Sequence, residues 1–241
     1  MKIIAIPIAF NKERLYLNRA YIDYVTGAGM TPFLVYPNSD YKDIAKFCDG
    51  LLLSGGEDID PTYYGFNNTD SMKCNRERDD FEREVINAFT EEKKPIFGIC
   101  RGLQLLFREY LTENTLYGIN FTQHIESHNA PSELEAERTQ TVHSIMIEKE
   151  LYESEMQSLR IFVNSMHHQA IILNKNIDRF KEYNKKKTEF EICGVTSFGA
   201  GEDKLIVEAF KIKDFRGSEV LAVQWHPEEL KDYKLLINFF K

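Results

Sequence analysis

The stretch "KPIFGICRGLQLLF", Lys94–Phe107, decides how the rest of the chain is read. Its first half, up to Ile99, is a short apolar run of the kind that forms a buried strand. From Arg101 onward the apolar residues recur at helical spacing. No loop separates the two. Cys100 therefore occupies the point at which a strand must turn directly into a helix, with Gly98 and Gly102 two residues to either side. Small neighbours let the flanking chain pack closely there, and the turn residue is exposed and often strained, as in the nucleophile elbow. A cysteine so placed also stands at a helix N-terminus, where the dipole favours thiolate over thiol. The competing reading is a small buried hydrophobe, which is what most free cysteines are.

Working outward, Ile3–Ile8, Pro32–Tyr36, Gly50–Leu53 and Pro95–Ile99 read as strands. They alternate with helical patterns over Leu15–Thr26, Tyr41–Phe47, Arg76–Thr90 and Arg101–Leu111. The run Ile3–Ile8 is almost continuously apolar, as befits a strand covered on both faces. Such alternation implies βαβ crossovers and a parallel sheet between two helical layers. In the second half Thr141–Glu148, Arg160–Asn164, Glu189–Ser197, Lys204–Lys213 and Glu219–Gln224 favour strands, with turn residues such as Gly199-Ala-Gly201 between them. Consecutive strands suggest antiparallel pairing at one side of the sheet. Leu230–Phe240 is an amphipathic closing helix. The expected fold is α/β: a mostly parallel central sheet flanked by helices, with an antiparallel extension. Neither a repeat nor a convincing linker divides residues 1–241, so a single domain is expected.

Bulk properties narrow the function. The chain has 241 residues, and 30 Lys and Arg against 38 Asp and Glu give a net charge of -8. An acidic chain with one basic cluster, Lys181–Lys187, is a poor partner for nucleic acid or an anionic membrane. No apolar stretch is long enough to cross a bilayer, and the N-terminal run reads as a core strand rather than a signal peptide. The four cysteines, Cys48, Cys74, Cys100 and Cys193, form no C-x-x-C pair. A cytoplasmic protein with reduced thiols and no bound metal is expected.

A cysteine nucleophile needs a base, and the base needs an acceptor. "VLAVQWHPEEL" places His226 at the end of another apolar strand. Residues two apart on an extended segment point the same way, and Pro227 biases His226 to that geometry, so Glu228 is placed to accept from its imidazole. The third piece is "LLLSGGEDIDP", in which a strand ends in two glycines. Exposed backbone N–H groups there suit an acyl-transfer oxyanion, although most glycine-rich turns merely turn the chain.

Taken together, G-I-C-R-G-L-Q, S-G-G-x-D and W-H-P-E resemble the class I glutamine amidotransferase family. Within it, "SGGEDIDPTYYG", "RERDDFERE", "GICRGLQLL", "NSMHHQAI" and "VQWHPEE" are similar to the free-standing γ-glutamyl hydrolases of the peptidase C26 group. The resemblance runs from the first strand to the last helix. It implies a flavodoxin-like three-layer fold, Cys100 as nucleophile, His226 as base and Glu228 as its orienting partner. It also implies an oxyanion hole from the backbone amides of Gly56 and Arg101. Gly55, Gln104, Ser165, His167, His168 and Gln169 would then line the substrate pocket, with at most one of the two adjacent histidines facing it. No cofactor is implied. His124, His128 and His143 lack metal-ligand spacing and read as structural. The acidic helix start Arg76–Glu82 reads as capping and surface salt bridges, and Lys73, Arg76 and Arg78 as solvated, with contact to a diphosphate as the alternative.

The implied reaction is hydrolysis of a small γ-glutamyl amide to glutamate and an amine. The group includes γ-glutamyl-γ-aminobutyrate hydrolase, and a relative acts on γ-glutamyl-CDP-amidate in capsule modification. Two alternatives stand beside it: a glutaminase subunit delivering ammonia to a separate synthase, and a non-catalytic binding protein. The leaving amine, the closure of a lid and the oligomeric state stay open, a homodimer included.

Overall fold

A strand covered on both faces must alternate its side chains between two apolar layers, and the short apolar runs of this chain do so. A computed structural model describes residues 1–110, 119–125, 138–148, 151–152, 158–174, 189–197, 204–214 and 216–241. The chain opens with strand Ile3–Pro7 (β1), a ribbon of Ala9–Phe10 (β2) and Leu15–Tyr16 (β3), helix Arg19–Gly27 (α1) and strand Thr31–Val35 (β4). Helix Tyr41–Phe47 (α2), strand Gly50–Leu53 (β5), a 3-10 turn at Pro61–Tyr64 and helix Arg76–Glu91 (α3) follow. Strand Ile96–Ile99 (β6) then leads into helix Arg101–Tyr110 (α4). The later strands are Ile119–Thr122 (β7), His143–Glu148 (β8), Ser158–Val163 (β9), Ala170–Asn174 (β10), Glu189–Ser197 (β11), Lys204–Lys213 (β12) and Glu219–Val223 (β13). Helix Tyr233–Phe239 (α5) comes last.

The sheet runs β4-β1-β5-β6-β13-β12-β11-β8-β9, with β10 pairing with β12 and β7. From β4 to β13 every pairing is parallel. From β13 outward every pairing is antiparallel. Leu51 and Leu53 pack into the layer built by α2, α3 and α4, with Ala45, Val85, Phe89 and Leu106. Leu52 between them turns to the other layer, with Tyr24, Val25, Leu235 and Leu236 of α1 and α5. That is the three-layer α/β arrangement the alternating pattern implies, with the antiparallel extension on one side.

Two local expectations change. The helix expected from Leu15 begins at Arg19, because the Asn18 side chain accepts from the Ala20 amide and caps it there. Leu15 and Tyr16 instead pair with Ala9 and Phe10 in the small ribbon, their side chains exposed. Strands β7 and β10 are additions to the expected set; "AIIL" of β10 directly follows the polar Ser165–Gln169 segment. The basic cluster Lys181–Lys187, the Gly199–Gly201 turn and His128 lie outside the described residues.

What positions the site is the parallel half. Strands β5, β6 and β13 are adjacent, with Leu53 opposite Gly98 and Val223 opposite Ile99. The Ser54-Gly55-Gly56 turn, Cys100 and His226 therefore emerge side by side at their carboxyl ends. In an open α/β sheet, ligands bind at that edge.

Candidate functional site

Cys100 is the single residue between β6 and α4, and its φ is 53°, the left-handed region that L-residues with a side chain rarely occupy. Its amide donates to Val223 O (2.8 Å), and its carbonyl accepts from Gln104 N (3.2 Å). One bond ties the elbow to β13 and the other starts the helix. A Cβ on Gly102 would fall 2.6 Å from Leu53 O, and one on Gly98 would fall 2.5 Å from Leu106 Cδ1. The two flanking glycines thus let α4 lie against the sheet, which holds the Cys100 backbone in its strained conformation. Arg101 follows as the first residue of α4, where amides lack intrahelical acceptors.

On the neighbouring strand end, His226 Nδ1 stands 2.6 Å from Glu228 Oε1, both residues buried. Burial opposes a charge on the ring, but the Glu228 carboxylate and the Cys100 sulfur outweigh it, and the pKa is raised to about 10. The other ring nitrogen, Nε2, is buried and has no hydrogen bond of normal geometry to any described residue. Gly55 lies between Cys100 and His226: a Cβ there would come 3.0 Å from His226 Cε1 and 3.4 Å from Cys100 Cβ.

Three residues complete the setting without any expectation from sequence. Asn164 Oδ1 accepts from His226 N (2.9 Å), while its Nδ2 donates to His226 O (3.1 Å) and to Arg138 O (2.8 Å). Tyr21 Oη accepts from Gly55 N at 2.8 Å. Burial first, then the charges of Glu228 and Cys100, push the Tyr21 hydroxyl well above its usual pKa. Arg138 donates from Nε to Glu229 Oε1 at 2.6 Å. Their signal was invisible in one dimension, since each contact joins residues more than 25 positions apart. Only Asn164 lay inside a quoted motif.

A cavity of about 400 Å³ opens over these groups, walled among others by Tyr16, Tyr21, Gly55, Gly56, Glu57, Cys100, Arg138, Met166 and His226. Cys100, His226, Gly55 and Gly56 are thus brought together on one cavity, with Glu228 bonded behind His226. The remaining expected pocket residues are not on its wall. Gln104 donates to Gln169 O (3.1 Å) and to Gln224 Oε1 (3.3 Å) and serves to join α4 to its neighbours. From Ser165–Gln169 only Met166 reaches the cavity. Ser165 is buried, His167 Nδ1 lies 2.9 Å from Gln169 O, and His168 Nε2 pairs with Asp58 Oδ2 at 2.8 Å. The Gln169 side chain accepts from Ile59 N and donates to Ser71 Oγ, fastening the loop after β5. These residues extend the polar support of the site rather than its surface. His124 meets His168 and His143 meets Glu208. Among the described residues no three metal-ligating side chains converge.

The start of α3 also departs from expectation. Asn75 caps it by accepting from Arg78 N, and Arg76–Asp80 is the anticipated exposed pair. Arg78, Asp79 and Glu82, however, are buried and form, with Arg101 and the partly buried Glu57, an ionic network directly beneath the glycine turn, which meets the cavity wall through Arg78 and Glu57. Arg78 is therefore no surface cation. Helical spacing puts residues 78 and 82 on one face, but only the tertiary fold turns that face inward.

An elbow cysteine at the carboxyl edge of a three-layer sheet, with an antiparallel extension beside it, defines the class I glutamine amidotransferase fold. A chain of PurLQS from Thermotoga maritima shares it with a TM-score of 0.60, over 99% of this chain and 98% of that one at 14% identity. The peptidase C26 family model matches residues 8–228, and the chain belongs to that family. The glutamine amidotransferase-like protein YvdE of Lactococcus lactis is 32% identical over 92% of this chain and 84% of its own length. A shorter match, 38% identical over 68 residues, covers 28% of this chain and 29% of the γ-glutamyl-CDP-amidate hydrolase of Campylobacter jejuni. No described helix is long and apolar enough to cross a membrane.

Proposed function

We propose that the protein is a cysteine-dependent hydrolase of small γ-glutamyl amides. The observation that carries this is the convergence of Cys100, at φ 53°, with the His226–Glu228 pair on one cavity. The Cys100 thiolate adds to the γ-carbonyl carbon, and its negative charge passes to the carbonyl oxygen. The backbone amides of Gly56 and Arg101 receive that oxyanion. Collapse expels the amine, which takes a proton from His226, and a γ-glutamyl thioester remains. His226 then removes a proton from water, whose oxygen attacks the thioester to release glutamate and restore Cys100.

The electrostatics support these roles. A ring whose pKa is raised to about 10 carries a proton at neutral pH and holds it ready for the amine. Glu228, facing Nδ1, keeps Nε2 for the reaction. Arg138 presents a guanidinium on the cavity wall for the α-carboxylate of the glutamyl group. Partial likeness to both the Campylobacter enzyme and the γ-glutamyl-γ-aminobutyrate hydrolase of Escherichia coli makes a γ-glutamyl nucleotide amidate and γ-glutamyl-γ-aminobutyrate the two candidate substrates. A cytoplasmic setting suits a catalytic thiol among unpaired cysteines.

A panel of glutamine, γ-glutamyl-γ-aminobutyrate and γ-glutamyl-CDP-amidate, compared by kcat/KM for glutamate release, tests the reading. Cys100→Ala should abolish turnover; full activity in that variant would refute the assignment. The likeness to YvdE keeps a second reading, a glutaminase serving a separate synthase. Glutamine hydrolysis that rises sharply on adding a partner would select it.

A further inference from the structure

The two amides assigned to the oxyanion belong to segments far apart in sequence, the turn after β5 and the start of α4. Beneath them lies the ionic network, which the reaction as written leaves unused. Arg78 braces the first segment: its Nη2 donates to Gly55 O and to Ser54 Oγ, each at 3.1 Å. Its Nη1 pairs with Glu57 and fills the space that a side chain on Gly56 would need. Arg101 belongs to the second segment, since the residue that offers its amide sends its own guanidinium down into the network. There it pairs with Asp79 and Glu82.

One carboxylate joins the two arginines. Glu82 Oε1 accepts from Arg78 Nε at 2.8 Å, and Glu82 Oε2 pairs with Arg101 Nη1. Glu82 is wholly buried and is not on the cavity wall. The planar forks of both guanidiniums and the rigid carboxylate between them leave little freedom in the distance from one segment to the other. An oxyanion site works through donors fixed in advance at the right separation. A buried ion pair is no more stabilising than well-packed apolar residues of the same size, so stability alone does not explain the linkage.

We infer that Glu82 is a positioning residue that sets the spacing of the Gly56 and Arg101 amides by gripping Arg78 with one oxygen and Arg101 with the other. The inference rests on the reading of Cys100 as an acyl-transfer nucleophile. It predicts a loss confined to states that carry charge on the substrate oxygen, with substrate binding and the thiol itself spared.

The test compares the parent with Glu82→Gln, which keeps the size of the side chain but turns a donor against one guanidinium. Arg101→Lys is the second variant, keeping the cation and the amide while losing the fork. For folded Glu82→Gln, kcat should fall about 30- to 100-fold, with KM within about three-fold. Affinity for a γ-glutamyl aldehyde, which adds Cys100 to form a tetrahedral oxygen in the same place, should fall in parallel. Affinity for glutamate and the rate of Cys100 alkylation by iodoacetamide should stay within about two-fold. Arg101→Lys should show the same selective loss, and supplies the answer should Glu82→Gln fail to fold. If the folded variants match the parent in kcat and aldehyde affinity, or lose glutamate binding equally, the inference is overturned. A parent that neither releases glutamate from any γ-glutamyl amide nor binds the aldehyde overturns the functional reading, and this one with it. A fully active parent with fully active variants overturns this one alone.

Discussion

Asn164 holds His226 by its backbone, accepting from the amide at 2.9 Å and donating to the carbonyl at 3.1 Å. A side-chain amide thus substitutes for a neighbouring strand at the point where β13 has ended. The bonded groups are buried, so their partner matters more than an exposed hydrogen bond would.

Asn164→Ala would leave both His226 backbone groups without partners, at a cost of about 1–3 kcal/mol each. We expect a lowered urea midpoint and, in the folded fraction, a fall in kcat as the ring moves, with a smaller rise in KM because Arg138 loses its bond to the same amide. Steady-state kinetics beside equilibrium unfolding would separate the two effects. Unchanged kcat would show that the ring is held by other means.

The His226 proton gives stability a pH dependence with a definite sign. The folded pKa is raised to about 10, whereas the unfolded ring titrates near its ordinary value of about 6.5. The folded chain therefore keeps a proton that the unfolded chain releases. Its contribution is complete below about pH 6.5 and is lost as pH climbs through about 10. Glu228→Gln removes the carboxylate charge, the largest single cause that raises this pKa. Unfolding free energies measured between pH 6 and 10 should fall less steeply for the variant. Equal slopes would mean that another group titrates.

Gly56→Ala places a Cβ 2.2 Å from Arg78 Nη1, on a guanidinium that Glu57 and Glu82 prevent from swinging away. We expect destabilisation of about 1–3 kcal/mol and loss of most activity. Gly29→Ala is the control, at φ 76° with nothing within 4 Å of the new carbon. It should cost about 1 kcal/mol from backbone strain and leave turnover unchanged. Similar kinetics in the two variants would remove the turn after β5 from the site.

Arg138→Gln keeps a donor for Glu229 but removes the positive charge from the cavity wall. For a γ-glutamyl amide, KM should rise about ten-fold or more with kcat changed far less, as for a lost ground-state contact. An unchanged KM would assign the α-carboxylate to another group.

The parts of the fold legible in sequence were those with local causes. Tyr41–Phe47, Gly50–Leu53, Glu189–Ser197 and Lys204–Lys213 occur within the bounds their patterns indicate, because apolar periodicity and flanking turn residues act within a few positions. Where a single polar residue competed, as Asn18 did, the boundary moved. The Cys100 elbow and the His226–Glu228 pair were legible for the same reason: a strand end and an i, i+2 relation are short-range facts. Gln104, Ser165 and His167–Gln169 lay near enough in the motifs to suggest the cavity wall. Which way a buried amide or imidazole points depends on partners such as Gln224, Asp58 and Ser71, which no local rule supplies.

By itself, then, the sequence determined the α/β alternation, the residue at the strand-to-helix turn, and the histidine with its carboxylate. Each follows from covalent neighbours, steric preference and side-chain period. Only the tertiary structure decided that β5, β6 and β13 lie side by side, that Asn164 and Tyr21 support the site, and that α3 turns Arg78, Asp79 and Glu82 inward. Those outcomes depend on charges and amides finding partners after the layers close, when burial makes every unpaired group costly.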